Sequence, residues 1–364
     1  MKVGIIGGGA CGLMLGYLLK KNNIEYTIFE KSICGRKILA SGNGKANIAN
    51  INLSPKDYNN ELGFRVVSEY KTKFFEILKE LNIYTKVDSE GRMYPYSESS
   101  QTILDAFLNK TLKVNENITI DNISRINNKF YLNNVYGPYD YLVLCSGSIA
   151  AYTLKKQQNF NKYLDFLNLK IIDYKPSLVG FKLDYNFKTI TGVRVKCEAK
   201  LIKNDTIIYA EKGEVIFKND GISGICILNL SCMYNRLKDK ADCYISLDLI
   251  PDLKIKIDTL EQLDGLFNPK LAKELKHYSL DKINDIVHDY RFKIIGVYDY
   301  EFCQVVSGGI DVKEIDWQDL SLNINHNIFA GGEILDVDGV CGGYNLMFAF
   351  CCALKIGEKL CNIK

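Results

Sequence analysis

At 364 residues, with 47% apolar and 24% charged residues, the chain exceeds the usual size of one domain and has apolar material for a sizeable core. A formal charge of +3 without a long basic run gives no footing for nucleic-acid or membrane-surface binding, and no apolar run approaches a membrane span. The twelve cysteines are scattered and include no C-x-x-C, which argues against a disulfide scaffold, a zinc ribbon and a thioredoxin-type dithiol. Strand residues begin at Lys2, which leaves no room for a secretory signal, so reduced thiols in a cytoplasmic protein are expected.

The first predicted unit is the most informative. The apolar run Val3–Ile6 suits a buried parallel strand, and Gly7-x-Gly9-x-x-Gly12 follows it. Leu13, Leu15, Leu18 and Leu19 have helical spacing, and a second strand, Tyr26–Phe29, ends in Glu30, eighteen residues beyond Gly12. Gly7 permits a tight turn, Gly9 lets backbone approach a pyrophosphate, and Gly12 lets the helix pack closely on the strand. The helix start offers N–H groups to phosphates, and Glu30 is placed to accept hydrogen bonds from a ribose. Strand, glycines, helix and acid together predict a dinucleotide site.

Residues 31–50 are rich in Gly, Ser and Asn and lose helical spacing after Leu39. A solvated loop is one reading. A loop that runs back along the cofactor, presenting Arg36, Lys37, Ser41 and Asn47, is the other. An amphipathic helix is predicted over 64–81, a hairpin turns at Gly91, and Ser99 or Ser100 caps a further helix. Short strands are expected at 118–120, 123–126 and 130–135. A buried strand at 141–145 then leads into a second glycine turn, Ser146-Gly147-Ser148.

From Pro176 alternating segments at 178–184, 192–202, 206–217 and 243–249 read as antiparallel strands, with a helical stretch over 258–290. The opening style returns with a strand at 327–330, then GGEILDVDGVCGGYN, where Gly342 and Gly343 precede a final helix, 346–360. The expected organisation is a discontinuous first domain, 1–175 plus 316–364, around an inserted domain, 176–315.

Four blocks resemble the bacterial BaiN/YhiN-type FAD flavoproteins, a family of NAD(P)/FAD-dependent oxidoreductases also known as aminoacetone-oxidase-family enzymes. They are Gly7–Glu30, the run Gly35–Asn50, Gly213–Phe217 with Gly221–Gly224, and Gly331–Gly339 with Gly342–Leu346. Asn43, Lys45, Ala46 and Ala49 depart from the second block, and Lys218 and Asn219 stand where the third has Thr-His. Ser146-Gly147-Ser148 replaces Thr-Gly-Gly.

The resemblance implies an α/β fold: a Rossmann-like, GR-type FAD-binding domain with an inserted, mainly antiparallel β plus helical domain. It implies that FAD meets Gly7, Gly9, Cys11 and Gly12 at the pyrophosphate and Glu30 at the adenosine ribose. Lys31, Arg36, Lys37, Ser41 and Gly42 line its middle, Ile123 its adenine edge, and Ser146 and Gly147 its ribose or pyrophosphate. Glu333 or Asp336 reaches the ribityl chain, and Gly343, Asn345 and Leu346 present the helix start to the flavin pyrimidine.

His277, His288 and His326 share no ligand spacing with other residues, so no metal is expected. There is no G-x-S-x-G and no nucleophile–base pair in sequence, which leaves the flavin as the reactive centre, with Lys37, Asn47 and Tyr344 as the nearest polar groups. The expected function is hydride transfer between FAD and a small organic substrate. NAD(P)H would be a transient reductant, since a second dinucleotide unit is missing. The alternatives are a flavin-binding redox sensor or scaffold without turnover and an FAD-dependent RNA-modifying protein.

Overall fold

The computed structural model describes residues 1–110, 113–150 and 161–363. They form two compact units, one made of Met1–Tyr174 with Ser307–Lys364 and the other of Lys175–Val306. The second crossing falls inside the strand Val305–Ile310, ahead of the expected 315/316 boundary.

The first unit is built on a six-stranded sheet. Its order is Ser321–Leu322, Asn325–Ala330, Tyr141–Leu144, Lys2–Ile6, Glu25–Phe29 and Val114–Asn115. Every pair is parallel except the edge pair Ser321–Leu322 with Asn325–Ala330. Strand Lys2–Ile6 lies between its successor Glu25–Phe29 and the much later Tyr141–Leu144, with Ile5 opposite both Ile28 and Val143. The chain therefore winds off in both directions from this strand, and in open parallel sheets ligands bind at the carboxyl ends of strands at such a reversal.

Helix Ala10–Lys21 packs on the final helix, Tyr344–Asn362, closely enough that a Cβ on Gly357 would lie 2.8 Å from Leu18 Cδ1. Helix Glu61–Glu80 joins them through Phe74, which stacks on Phe350 with ring centroids 4.9 Å apart.

Three local expectations are corrected. Residues 118–120 are not a strand, because Asn117 takes a left-handed conformation and Ile118 donates its N–H to the Glu30 carbonyl, wrapping the segment around the end of the second strand. The edge strand is Val114–Asn115 instead. The expected strand 130–135 ends at Leu132, because Asn133 and Asn134 are both left-handed and turn the chain into a separate strand, Tyr136–Tyr139. Ser99 occupies the N-cap of helix Ser100–Leu108 but makes no side-chain cap bond, while the Ser100 hydroxyl donates to the Leu39 carbonyl at 3.0 Å.

The second unit is a closed barrel, entirely antiparallel, of strands Phe181–Leu183, Gly221–Ser223, Thr206–Phe217, Arg194–Lys203, Cys243–Asp248 and Tyr290–Val297. Phe181, Phe187, Phe217, Leu201 and Leu247 fill its core. The apolar run starting at Ile225 is a helix, Ile225–Arg236. The helical stretch over 258–290 is three short helices, Gln262–Leu266, Pro269–Leu275 and Leu280–Ile286. Asn268 and Pro269 restart the chain as N-cap and first residue, as Ser279 does again for the third helix.

Candidate active site

The three glycines of the opening motif have three different surroundings. Gly7 takes a φ of +112°, and a Cβ there would lie 2.3 Å from the Cys145 carbonyl oxygen, where the neighbouring strand ends. A Cβ on Gly12 would lie 2.0 Å from the Gly7 carbonyl oxygen, so only glycine lets the helix seat against the turn. A Cβ on Gly9 would meet nothing within 4 Å. Gly9 is also the N-cap of helix Ala10–Lys21, which has no side-chain cap and no acid in its first turn. The positive end of the helix therefore points at open space, the arrangement that receives a pyrophosphate. The Cys11 side chain turns away from that space, its buried Sγ accepting from the Cys145 thiol at 3.2 Å.

Glu30 stands at the end of the second strand. One carboxylate oxygen accepts from the Gly8 N–H (2.9 Å), and the other from the N–H and hydroxyl of Ser32 (3.0 and 3.1 Å). A carboxylate offers about four acceptor positions, so three such bonds orient Glu30 and leave room for a ribose hydroxyl. Next to it, burial pushes the Lys31 ammonium down to about 8. Glu30 partly offsets that shift, while Lys37 and Arg36 reinforce it.

The 35–50 segment is ordered by its own turns. Gly35 is left-handed and starts a short helix, Arg36–Ala40. Ser41 closes it by donating to the Ile38 carbonyl (2.7 Å), and Gly42 and Asn43 are both left-handed. Asparagine tolerates that conformation better than other side-chain-bearing residues, which suits Asn43 to this turn.

Lys37 reaches across the unit. Its ammonium donates to the Ser148 hydroxyl (2.9 Å), to the Ser148 carbonyl (3.4 Å) and to the Glu333 carboxylate, and the Ser148 hydroxyl donates to Glu333 Oε2 at 3.1 Å. Asn50 donates to the Gly342 carbonyl at 3.1 Å. With its amide oriented to suit both neighbours, Asn47 donates to the Ala49 carbonyl (3.1 Å) and accepts from the Gly343 N–H (3.2 Å). The second and fourth sequence blocks thus meet along the glycines before the last helix.

In the C-terminal block the singled-out side chains are held by partners that sequence reasoning did not single out. Asp336 accepts from the Gly308 N–H (2.8 Å) and the Asn59 amide (3.3 Å). Asn345 folds its amide back on Gly339, accepting from its N–H (2.8 Å) and donating to its carbonyl (2.9 Å). Tyr344 is buried edge-on against Tyr58, whose hydroxyl donates to the Tyr344 carbonyl at 2.9 Å, and burial pushes the Tyr344 phenol far above its ordinary range. Leu346 is half-buried in the first turn of the helix.

Ser146 pairs with the Tyr163 hydroxyl (2.7 Å), and Gly147 is left-handed, its carbonyl accepting from Asn161 (3.3 Å). Ile123 sits on the separate sheet 123–139, opposite Leu132. In the second unit, Lys218 and Asn219 form a turn. The Lys218 N–H donates to the Gly221 carbonyl at 2.8 Å, and Asn219 Oδ1 accepts from Thr191 Oγ1 at 2.6 Å. Among the described residues no cluster of three or more His, Cys, Asp or Glu could hold a metal ion, and no helix is long and apolar enough to cross a membrane.

Comparison with known proteins agrees with this geometry. The model of the HI0933-like protein Rossmann domain family matches residues 1–359. The 3-dehydro-bile acid delta(4,6)-reductase of Clostridium scindens is 23% identical, with 98% of each chain covered. The ribosomal RNA dihydrouridine synthase of Haemophilus influenzae is 22% identical, also with 98% of each covered. Among solved structures, a flavocytochrome c3 fumarate reductase in its open conformation shares the fold at a TM-score of 0.50 and 14% identity, over 99% of this chain and 78% of that one. With the family model spanning nearly all of its length, the chain belongs to the HI0933-like Rossmann-domain family and is an FAD-dependent oxidoreductase.

Proposed function

We propose that the protein catalyses hydride transfer between a small organic substrate, or NAD(P)H, and a tightly bound, non-covalent FAD. The observation that carries this reading is the open space at Gly9, faced by an uncapped helix start, with Glu30 bonded to the neighbouring Gly8. Gly7, Gly9, Cys11 and Gly12 would receive the pyrophosphate through backbone, Glu30 the adenosine ribose, and Glu333 the ribityl hydroxyls. Arg36, Ser41 and Gly42 would line the middle of the cofactor. The flavin ring supplies the hydride chemistry when bound.

The chain's own part is positioning and charge. The N–H groups that open the last helix would stabilise negative charge developing at the pyrimidine edge. Asn47, by holding Gly343, fixes where those groups point. Tyr344, packed on Tyr58, seats the same helix start. The adenine edge is assigned to the sheet bearing Ile123, and Ser146 and Gly147 to the turn beneath the ribose or pyrophosphate.

The deciding experiment is anaerobic mixing of the holoprotein with NADH, NADPH and candidate enones, read as bleaching and recovery of the flavin absorbance. Both nicotinamides are expected to reduce the flavin with rates within about tenfold of each other, or 1.4 kcal/mol, because the sequence carries no second strand–glycine–helix unit with an acid at the right distance to select between them. A flavin that nothing reduces would instead identify a sensor or scaffold. The name of the Haemophilus influenzae relative keeps an RNA substrate as a second reading, which salt-dependent RNA binding would establish.

Two further outcomes are expected. If Lys31 lies against the phosphates, FAD binding raises its pKa from about 8. A group whose pKa rises on binding contributes affinity in full below its free value and loses it as pH climbs through the bound value. The FAD Kd should therefore be flat below pH 8 and rise above it by at most about tenfold per pH unit, and Lys31→Gln should flatten the profile, as equilibrium titration would show.

Cys351 and Cys352 are fully buried in the last helix, and burial pushes both thiols well above their usual range. They are protonated and poorly placed for a dithiol relay. The Cys351→Ala/Cys352→Ala protein should keep its rate of anaerobic flavin reduction. Loss of reduction with FAD still bound would establish a relay.

A further inference from the structure

Lys37 uses three donor contacts on two residues of its own chain, and a lysine ammonium has three hydrogens to give. Two go to Ser148, on its hydroxyl at 2.9 Å and its carbonyl at 3.4 Å, and one goes to the Glu333 carboxylate. Having accepted from Lys37, the Ser148 hydroxyl passes its own proton on to Glu333 Oε2 at 3.1 Å. The network is directional and closed: ammonium to hydroxyl, hydroxyl to carboxylate, ammonium to carboxylate.

It ties together segments 111, 185 and 296 residues apart in sequence. It is also sheltered, with Ser148 fully buried and the Lys37 and Glu333 side chains only 26% and 19% exposed. In such surroundings a charge-assisted network fixes its members more firmly than a surface ion pair would.

We propose that Lys37 is a positioning residue. Together with Ser148 it holds the Glu333 carboxylate in place for the ribityl hydroxyls of FAD, and it touches neither the pyrophosphate nor the substrate. The inference rests on the FAD reading above and narrows it, since it removes Lys37 from the groups in contact with cofactor or reacting atoms. Removing the ammonium takes away the charged donor that holds Glu333 beside Ser148, so the ribityl half of the cofactor loses a fixed acceptor. The adenosine half, bound by the glycine turn and Glu30, is untouched.

The test compares FAD with ADP, which carries only the adenosine and phosphate part, as ligands of the apoprotein in fluorescence and calorimetric titrations. Lys37→Met is expected to weaken FAD about ten- to hundredfold, the usual effect of removing an outer partner of a ligating group, while ADP affinity stays unchanged. Lys37→Met/Glu333→Gln should bind FAD no worse than Glu333→Gln alone, because the two residues act as one unit. Lys37→Arg should recover part of the loss.

Equal weakening of FAD and ADP by Lys37→Met would place the ammonium on the phosphates and overturn the proposal. So would unchanged FAD affinity, or additive effects in the double variant. Ser148→Ala, which removes the hydroxyl link with little change in volume, gives the same FAD-selective loss if Lys37→Met does not fold. Wild-type protein that binds ADP but no FAD would instead refute the flavin reading itself.

Discussion

Gly9→Val is expected to give a soluble, folded protein that carries no flavin, whereas Gly12→Val is expected not to fold at all. The wild-type protein should purify yellow and release FAD, not FMN, on denaturation. At Gly9 the backbone is extended (φ −87°, ψ −163°), a conformation any residue adopts, and a side chain would enter space that no protein atom occupies. Its branched carbons would fill the volume assigned to the pyrophosphate, while the fold loses only a modest helix-cap preference, on the order of 1 kcal/mol. That corresponds to a shift in Tm of a few degrees at most for a chain of this size.

At Gly12 the same substitution puts carbon 2.0 Å from the Gly7 carbonyl oxygen, a backbone atom that cannot turn aside as a side chain could. The helix must leave the strand, and with it go Leu13, Leu15 and Leu19, all fully buried. Visible absorbance and circular dichroism of the two variants side by side separate the outcomes. Full flavin occupancy in Gly9→Val would sink the pyrophosphate assignment.

The contrast between these glycines also marks what could be read without coordinates. The turn, its helix and Glu30 are local, so spacing alone revealed them. The sheet was largely legible: its four longer parallel strands announce themselves as apolar runs, but Val114–Asn115 is two residues long and shows no period. The run from Ile225 carried no usable period, and short apolar stretches do not distinguish helix from strand. Closure of the barrel was out of reach, because it depends on which strands pair across more than a hundred residues, as Lys182 does with Gly296.

Within the candidate site the difficulty was similar. Lys37 and Glu333 could be picked out separately by residue type, but their joining through Ser148 could not. Nor could the use of Asp336 and Asn345 as anchors for Gly308 and Gly339, since each partner lies on another segment. Tyr58, Asn59 and Asn60 were missed altogether. The only local signal was Asn60 at the N-cap of the helix Glu61–Glu80, and nothing in it pointed to the Asp336 carbonyl that the Asn59 and Asn60 amides both reach.

Deleting the chain from Gly331 onward is expected to give insoluble or flavin-free protein, although the cut lies far in sequence from the glycine turn. The final helix buries Met347, Phe348, Phe350, Leu354, Ile356 and Leu360. Phe350 alone stacks on both Phe74 and Phe107, with centroids 4.9 and 5.5 Å away. Burial of six such side chains contributes on the order of 10 kcal/mol, which is comparable with the whole net stability of a typical domain, about 5–15 kcal/mol. The deletion also removes Glu333, leaving Lys37 and Ser148 without their carboxylate.

A point change separates the packing role from the cofactor role. Asn345 is the second residue of the helix, where the N–H has no acceptor within the helix, so Asn345→Pro is tolerable to the backbone there. It loses the two bonds to Gly339 and also the N–H proposed to face the flavin, whereas Asn345→Ala loses only the bonds. Both variants should be soluble, with the alanine form keeping more FAD than the proline form after gel filtration. If the alanine and proline proteins hold flavin equally well, the N–H of residue 345 takes no part in the site. If the truncated chain folds and retains FAD at full occupancy, the first unit does not need its C-terminal part to bind the cofactor, and the two-part arrangement fails.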